Sequence, residues 1–308
     1  MAYHILNIDT VGSTITCKDR QVVCIASDGT TQTVPLEDVG SIVVTSFKTT
    51  LTNRLLVEAA REGVSLIVCD GFQPASILLP VNRSSDTLLT RAHLGVHARQ
   101  RALLWRRTVD AKVRNQWLLC KTWASAHRGT RDLESLQDSS GRHKEALAAR
   151  RYWRVFADTI GQSTFRRNRS LAGVNALLNY GYAVLLSVVM QRILAIGIDP
   201  TFGIAHVPRA KAVPLAYDLM EPFRPWVDQA VVARVARQGA VDSTTVDRES
   251  RGALAESMVM PVRRGDHVVE FRIVIEEVIR SFRRAVTERK PSLYQPWTPK
   301  ASRWDGCS

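Results

Sequence analysis

The spacing of apolar residues changes once along this chain, and the change limits the folds open to it. In residues 3–45, short runs rich in β-branched residues alternate with Gly and Asp turn signals, which predicts short strands. Beyond residue 90, apolar residues recur roughly every 3.6 positions, the period of a helix. The sequence therefore predicts an α+β protein, in which a small N-terminal β-rich domain with one embedded helix precedes a large all-α catalytic domain.

Residues 80–90 have the composition of a linker, so the predicted domains cover residues 1–85 and 86–289. The embedded helix is expected at about Thr52–Glu62 and ends at Gly63. Strands are predicted at Ile5–Ile8, Ser13–Thr16, Val22–Ala26, Thr30–Val34, Ser41–Thr45, Val64–Cys69 and Ser76–Leu79. Later helices are predicted at Arg91–Lys121, Arg142–Thr159, Leu171–Ile196, Leu215–Ala236, Arg251–Val259 and Glu270–Arg289. Residues 290–308 hold three prolines and two tryptophans without periodicity, which predicts a flexible tail.

One segment has the length of a membrane span. Leu171 to Met190 contains no charged residue, and about 20 apolar residues are enough to cross a bilayer. Asn175 and Asn179 interrupt its apolar character, so a buried core helix is the better interpretation. The N-terminus shows no signal peptide, and the five cysteines are odd in number with no CxxC spacing. We therefore expect a cytoplasmic protein with no membrane partner, disulfide framework or zinc site.

The charge of the chain is unevenly distributed. The formal net charge is +13, yet residues 1–85 carry six Lys/Arg against eight Asp/Glu, a net of −2, which leaves +15 for the remainder. A compact domain with this excess repels itself unless an anionic partner offsets it. The sequence therefore predicts a DNA-binding surface in the second part of the chain.

The predicted helix over residues 142–159 carries a carboxylate on an apolar face. At helical spacing, Glu145 lies in line with Ala149, Tyr152 and Phe156. Burying a carboxylate there is costly unless a cation lies beside it. The alternative is an exposed acid in the first helical turn, where it interacts favourably with the helix dipole. Spacing alone does not decide between these interpretations.

Three further polar residues lie close together in sequence. His206 follows the turn GIDPTFGIA, and Asp218 and Glu221 project from one face of the next predicted helix, which Pro222 kinks or breaks. Two carboxylates on one face repel each other, and a hard divalent cation would offset that repulsion. The alternative for either carboxylate is a simple ion pair with Arg224 or another arginine.

Glu145, His206, Asp218 and Glu221 together supply mixed oxygen and nitrogen ligands, which suit Mg²⁺ or Mn²⁺ better than Zn²⁺. They lie in the part of the chain with a net charge of +15. A metal beside a phosphate-binding surface is the arrangement that phosphodiester transfer requires. The residues therefore predict a divalent-metal-dependent enzyme that acts on DNA.

Basic and aromatic residues outside these motifs allow two interpretations. Arg166, Arg167 and Arg169 precede the long apolar helix and form either a solvated face or a surface that follows the DNA backbone. Tryptophans on or next to the helices are interpreted as core residues rather than base-stacking platforms. These tryptophans are Trp105, Trp117, Trp123 and Trp153.

Four motifs in order make the chain resemble the universal CRISPR-associated adaptation integrase family, which inserts new spacers into a CRISPR array. They are EALAARRYW from Glu145, NALLNYGYAVL from Asn175, GIDPTFGIAH ending at His206, and LAYDLMEPFRPWVD from Leu215. By this resemblance, Glu145, His206 and Glu221 match the metal-binding triad of the family, and Asp218 matches an accessory acidic position. The chain departs from the family pattern at Gly203-Ile204-Ala205 and at Pro214, which are packing positions beside the predicted ligands.

The resemblance implies an endonuclease and integrase that joins a protospacer 3′-hydroxyl to a CRISPR repeat by direct transesterification. It also implies a homodimer formed through the N-terminal domain, and a small ferredoxin-like CRISPR adaptation protein as partner. Two alternatives remain open. One is a metal-dependent nuclease that acts on branched DNA in repair without integration, and the other is a DNA-binding scaffold whose carboxylates are structural.

Overall fold

The computed structural model describes residues 4–8, 10–44, 46–70, 73–78, 87–139, 143–206, 213–238, 246–264 and 267–299. Residues 80–86 of the predicted linker and residues 300–308 of the predicted tail lie outside these ranges. The chain divides into two compact units. The first comprises Met1–Asp86 together with Met190–Ile198, and the second comprises Thr87–Val189 together with Asp199–Ser308.

The first unit contains two four-stranded sheets among its described residues. The strands of one sheet, in spatial order, are β1 (His4–Ile8), β5 (Val39–Val44), β7 (Ser65–Asp70) and β8 (Gln73–Leu78). The strands of the other are β4 (Thr31–Pro35), β3 (Gln21–Ile25), β2 (Thr14–Lys18) and β6 (Thr50–Leu51). Only β8 pairs antiparallel in the first sheet, whereas β2, β3 and β4 form an antiparallel meander. The predicted β-rich region is confirmed.

One helix, α1 (Asn53–Arg61), is embedded between these strands as predicted. The Thr52 hydroxyl accepts a hydrogen bond from the Leu55 amide at 3.3 Å, which satisfies one of the free donors at the helix start. Leu55 and Ala59 lie one turn apart on the buried face of α1. They join Ile15, Ile42 and other strand residues in the core of this unit.

The second unit is mostly helical. Its helices are α2 (Thr87–Leu94), α3 (Ala98–Ala124), α4 (Arg128–Ser135), α5 (Lys144–Thr159), α6 (Val174–Ala195), α7 (Pro214–Met220), α8 (Arg224–Gln238), α9 (Arg248–Glu256) and α10 (Phe271–Thr287), and the end of α6 belongs to the first unit. Two short antiparallel strands, β9 (Pro261–Arg264) and β10 (His267–Glu270), precede α10. The fold class is therefore α+β, with one hairpin inside the helical unit.

Two helix predictions differ from the structure. The helix predicted from Arg91 begins at Thr87 and is interrupted at Gly95, so it forms both α2 and α3. Helix α4 was not predicted, because its eight residues, RGTRDLES, include a single large apolar residue and show no apolar repeat. Its start is fixed by a side chain instead, since His127 Nδ1 accepts a hydrogen bond from the Gly129 amide at 2.9 Å.

Helix α6 is the core helix that the sequence predicts. Over Val174–Ile193 it is long and apolar enough to cross a membrane, yet 94% of that stretch is buried inside the protein. Gly197, with φ +80°, ends the helical turn. Burial on all sides explains why its sequence shows no polar face.

The prediction of a flexible tail from residue 290 is wrong for residues 290–299. Tyr294 and Trp297 are 0% and 4% exposed, and both pack among aromatic rings of the second unit. Side chains of α3 hold their carbonyls, with Arg107 Nε donating to Tyr294 O at 2.6 Å and Asn115 Nδ2 to Trp297 O at 2.9 Å. Periodicity does not detect this segment, because it packs as single large side chains and not as a helix face.

Candidate active site

Two of the predicted ligands, Glu145 and Glu221, converge on one cation. Lys112, in the middle of α3, places its Nζ 2.8 Å from Glu145 Oε1 and 2.7 Å from Glu221 Oε2. Glu145 lies in the first turn of α5, and its side chain is 37% exposed. The side chain of Glu221 is 8% exposed, and that of Lys112 is 13% exposed. The structure thus provides the cation that a carboxylate on an apolar face requires.

Glu221 owes its position to the break that Pro222 imposes. Helix α7 ends at Met220, a 3₁₀ helix spans Glu221–Phe223, and α8 begins at Arg224. The carbonyl of Pro222 accepts a hydrogen bond from Asn115 Nδ2 on α3 at 2.7 Å, so the break is fixed to the same helix that carries Lys112. Arg224 Nε donates to Glu221 Oε1 at 2.8 Å, which leaves both oxygens of this carboxylate paired with cations.

These contacts set the charge of the pair. Burial would raise the pKa of Glu221, but the cations of Arg224 and Lys112 outweigh it and bring the pKa down to about 2. Burial would lower the pKa of Lys112, but Glu221 and Glu145 raise it above the ordinary lysine value. At neutral pH, Glu221 is therefore a carboxylate and Lys112 an ammonium.

His206 and Asp218 form a second group. The Asp218 carboxylate is fully buried and lies 2.5 Å from His206 Nδ1. It also accepts hydrogen bonds from the amides of Ile204 at 2.5 Å and Ala205 at 3.0 Å, and from the His206 amide at 3.3 Å. Asp218 thus holds the loop and engages His206 Nδ1, so Nε2 is the ring nitrogen that Asp218 does not contact. In this structure Asp218 positions His206, and its assignment as an accessory metal-binding position stays a prediction.

The loop before His206 requires glycine at position 203. A Cβ on Gly203 would lie 2.4 Å from the His206 carbonyl oxygen, 2.8 Å from Pro214 Cβ and 2.9 Å from Asp218 Oδ2. Gly203, which departs from the resembled family, therefore lies close to the Asp218 side chain that orients His206, and Pro214, the other departure, lies next to Gly203. The different residue types at these two positions change the packing of the loop, whereas the contact between Asp218 and His206 is present.

The Glu145–Glu221 pair and the His206–Asp218 pair contact different positions of α3 and do not form one three-ligand cluster. The His206 ring centroid is 6.0 Å from that of Trp105 on α3, and Trp105 precedes Lys112 by seven residues, about 10 Å along the helix axis. Among the described residues, no three His, Cys, Asp or Glu side chains have the spacing of a metal site. The structure thus brings Glu145 together with Glu221, and His206 together with Asp218.

A cavity of about 290 Å³ opens beside Glu221 and is strongly basic. Arg167, Arg169, Lys112 and Arg224 line it. Arg224 also lies over the Tyr182 ring, 4.6 Å from its centroid. The arrangement offers several fixed positive charges next to the carboxylate pair.

The two asparagines of the apolar helix hold the arginine segment in place. Arg167 Nη1 donates to Asn175 Oδ1 at 3.0 Å, and Nη2 donates to Asn179 Oδ1 at 2.7 Å. In return, Asn175 Nδ2 donates to the Arg166 carbonyl at 3.0 Å and Asn179 Nδ2 to the Arg169 carbonyl at 2.8 Å. The two asparagines of α6 therefore fix Arg167 at the cavity. Arg167 is thus not part of a solvated face, which was one of the two interpretations that the sequence allowed.

One more carboxylate, Asp228, lines the cavity from α8. Burial raises its pKa to about 6, against the opposing effect of the hydroxyls of Tyr152 and Tyr182, which both donate to it. These contacts tie α5, α6 and α8 together behind Glu145 and Glu221. Tyr152 lies on the same face of α5 as Glu145, and its hydroxyl supports the site by holding Asp228.

The sequence analysis missed Lys112 as a site residue. One lysine on a basic helix carries no signal that distinguishes it from the other basic residues of the chain. Asn175 and Asn179 offered a usable signal, since polar side chains inside an otherwise apolar helix require partners. Trp153, interpreted as a core residue, packs against Tyr152 and Phe156 but also lines the cavity.

Comparisons with known proteins agree with this architecture. The family model described as "CRISPR associated protein Cas1" matches residues 6–260. A "CRISPR-associated endonuclease Cas1" of Neisseria meningitidis serogroup C (strain 8013) is 31% identical over 226 residues, which is 72% of this chain and 72% of that protein.

Two solved structures share the fold. "Casposase bound to integration product" has a TM-score of 0.79 at 17% identity and covers 98% of this chain and 95% of its own. A "Cas6-RT-Cas1--Cas2 complex" has a TM-score of 0.79 at 15% identity and covers 98% of this chain and 36% of its own. Because each match covers 98% of this chain, the similarity of fold includes both compact units.

Proposed function

The chain belongs to the CRISPR-associated Cas1 family of endonucleases and integrases, and on that premise we propose that it joins protospacer DNA to a CRISPR repeat by metal-dependent transesterification. The observation that carries the proposal is the convergence of Glu145 and Glu221 on the ammonium of Lys112 beside a basic cavity. Paired carboxylates next to fixed positive charges can hold a metal and the phosphate that it activates.

The donor types suit a hard divalent cation, and His206 would have to approach the carboxylate pair for all three side chains to share one ion, since no such cluster is present among the described residues. Glu145 and Glu221 contribute carboxylate oxygens, and His206 contributes Nε2, because its Nδ1 is engaged by Asp218. A position between the two carboxylates already holds a positive charge, the ammonium of Lys112. We propose Glu145, Glu221 and His206 as the residues that hold Mg²⁺ or Mn²⁺. When bound, such an ion polarises the phosphoryl oxygen and lowers the pKa of the attacking hydroxyl.

The chain's own residues position the DNA. Arg167 is fixed by two asparagines, so it meets a phosphate without losing further side-chain freedom. Arg224 and Lys112 balance the carboxylates and contribute to the positive field at the cavity. The attacking group is a DNA 3′-hydroxyl and the leaving group is a 3′-oxygen of the repeat, so no covalent enzyme intermediate is required.

The partners follow the same premise. We propose protospacer and repeat DNA as substrates, a second copy of this chain contacted through residues 1–85, and a small adaptation protein of the same CRISPR system. The support is the similarity to a casposase solved with an integration product and to the Cas1-containing chain of a complex with Cas2. The net charge of +15 beyond residue 85 supports the DNA contacts.

Strand transfer in vitro tests this function. A labelled duplex with 3′-hydroxyl ends is mixed with a supercoiled plasmid carrying a CRISPR array, with Mn²⁺, Mg²⁺ or EDTA, and with or without the partner protein. We expect metal-dependent joining of label to plasmid by the wild type and by the control Glu134→Gln, an exposed position on α4. Glu221→Gln and Glu145→Gln should both abolish it.

Three other outcomes lead away from the proposal. Cleavage of branched DNA without any joining would favour the repair nuclease. DNA binding that is indifferent to metal, with no turnover, would favour the scaffold. Joining at wild-type rates by folded Glu221→Gln protein would show that the carboxylate pair is not the metal site. Thermal melting of each variant shows whether it is folded.

A further inference from the structure

The helix that carries Glu145 begins without a side-chain cap. His143, the residue before α5, makes no capping hydrogen bond with its side chain, and its carbonyl accepts a bond from the Leu147 amide at 3.0 Å. A helix start without a cap leaves backbone amides free and frays readily. Glu145 lies in this first turn, so a contact other than a cap is needed to hold its side chain in place.

Lys144 provides such a contact. Its side chain is 7% exposed, and its Nζ donates to Asp110 Oδ1 on α3 at 2.7 Å and to the Gln137 carbonyl oxygen at 2.8 Å. Gln137 lies two residues after the end of α4. Lysine is seldom buried unless it is paired, and this ammonium has two acceptors. One buried ammonium therefore joins the start of α5 both to α3 and to the end of α4.

The same two helices are joined a second time at the next residue. Glu145 contacts Lys112 at 2.8 Å, and Lys112 lies two residues after Asp110 on α3. Two residues that far apart on a helix project from different sides of it. The first turn of α5 is therefore held against α3 by two ion pairs in which the acid and the base exchange helices.

We propose that Lys144 and Asp110 are positioning residues for the metal site, because their ion pair keeps Glu145 directed at Glu221 when a divalent cation takes the place of the Lys112 ammonium. The inference rests on the proposed function, in which Glu145 and Glu221 hold the metal. Neither Lys144 nor Asp110 is itself a ligand. A residue that orients a ligand lowers the cost of assembling the site, so its loss weakens metal binding.

Binding of Mn²⁺ to the full-length protein without DNA tests this role. Electron paramagnetic resonance reports the free Mn²⁺, and the relevant site is the one that Glu221→Gln removes. We expect Lys144→Met to weaken binding at this site about 10-fold, the lower end of the effect of losing a residue that orients a ligand. The direction is diagnostic, because a lysine that acted only through its charge would repel Mn²⁺ and its removal would tighten binding.

Substitutions of the partner show whether the ion pair itself matters. Asp110→Ala should weaken Mn²⁺ binding to a similar extent, and the double variant should bind no more weakly than Lys144→Met, because both changes break one pair. Asp110→Glu should bind Mn²⁺ as the wild type does, since the side chain at this position is 48% exposed and a longer carboxylate fits. The matched control is Asp132→Asn, which breaks an ion pair with Arg151 two turns further along α5 and should leave the affinity unchanged.

Amide hydrogen exchange in EDTA measures the helix start directly, without metal. Lys144→Met and Asp110→Ala should accelerate exchange at residues 147–150, the first amides of α5 that are bonded within the helix. Asp132→Asn should leave exchange at these residues as it is in the wild type. Thermal melting shows whether each variant is folded, and if Lys144→Met is not, the half-exposed Asp110→Ala carries the test.

Two results would overturn the positioning role. One is a folded Lys144→Met or Asp110→Ala protein that binds Mn²⁺ as tightly as the wild type or more tightly. The other is unchanged amide exchange at the start of α5 in these variants. Both measurements are made without DNA, so a wild type that binds Mn²⁺ but joins no strands counts against the proposed function alone.

Discussion

Replacing Lys112 with methionine tests whether one ammonium holds the carboxylate pair together. Lys112 Nζ contacts Glu145 at 2.8 Å and Glu221 at 2.7 Å, and methionine keeps much of the side-chain volume without the charge. Removing one partner of a buried ion pair costs about 3–5 kcal/mol, because the other charge stays buried. Glu221 keeps Arg224, and Glu145 is 37% exposed and partly solvated, so the lower end applies.

A loss of about 3 kcal/mol should lower the melting temperature of a unit of this size by about 6–12 °C. The measurement is thermal unfolding by circular dichroism in EDTA, compared with Lys121→Met, an exposed lysine on the same helix. Lys121→Met should melt within the ordinary range of a surface substitution, about 0.5 kcal/mol from the wild type.

A titration with Mn²⁺ separates a competing cation from a purely structural lysine. If the ammonium occupies the position that a divalent cation would take, Lys112→Met should bind Mn²⁺ more tightly, by about tenfold for each 1.4 kcal/mol of lost competition. Added Mn²⁺ should then recover more of the melting temperature in Lys112→Met than in the wild type. An unchanged melting temperature in EDTA, or an Mn²⁺ affinity no tighter than that of the wild type, would refute the reasoning.

Three further substitutions test other parts of the second unit. Asp218→Ala leaves three loop amides and His206 Nδ1 without their acceptor, so we expect a loss of about 2–4 kcal/mol in urea unfolding together with loss of strand transfer; wild-type strand transfer by this variant would contradict its positioning role. Burial lowers the pKa of His93 to about 4. The unfolded chain takes up this proton near pH 6.5 and the folded chain only near pH 4, so the free energy of unfolding should fall by up to about 3 kcal/mol as the pH is lowered from 6.5 to 4. In urea unfolding, the free energy of unfolding should therefore drop less between pH 7 and pH 5 in His93→Leu than in the wild type. Trp297→Ala should cost about 3–5 kcal/mol in urea unfolding, since the ring is 4% exposed, whereas a flexible tail would give no change.

Much of the architecture could be predicted because it depends on local patterns. The alternation of strands before residue 80 and the helical period after residue 90 both follow from which face of each element is buried. The break at Glu221 follows from Pro222, whose ring cannot continue a helix from the preceding turn. The stretch of α6 without charges predicted a buried helix, and its two asparagines marked where partners were needed.

Less of the site could be predicted, because its contacts join residues far apart in sequence. Lys112 and Glu145 are 33 positions apart, and no periodicity within α3 or α5 indicates that they meet. Asp218 was predicted as a metal-binding position from its spacing to Glu221, three residues away. In the structure its neighbours are the amides of Ile204 and Ala205, so its carboxylate is directed into the loop, and of these two carboxylates only Glu221 contacts Lys112.

The sequence by itself determined the order and type of most elements, with α4 and the β9–β10 hairpin as exceptions. It also determined the position of the helix break and the basic character of the second part of the chain. These properties depend on residues within about one or two helical turns of each other, or on composition alone. Only the tertiary structure decided that Lys112 joins Glu145 to Glu221, that Asp218 orients His206, and that Lys144 joins the start of α5 to Asp110. The reason is that a buried polar atom must find its partner wherever packing places one, and packing brings together side chains that no local pattern connects.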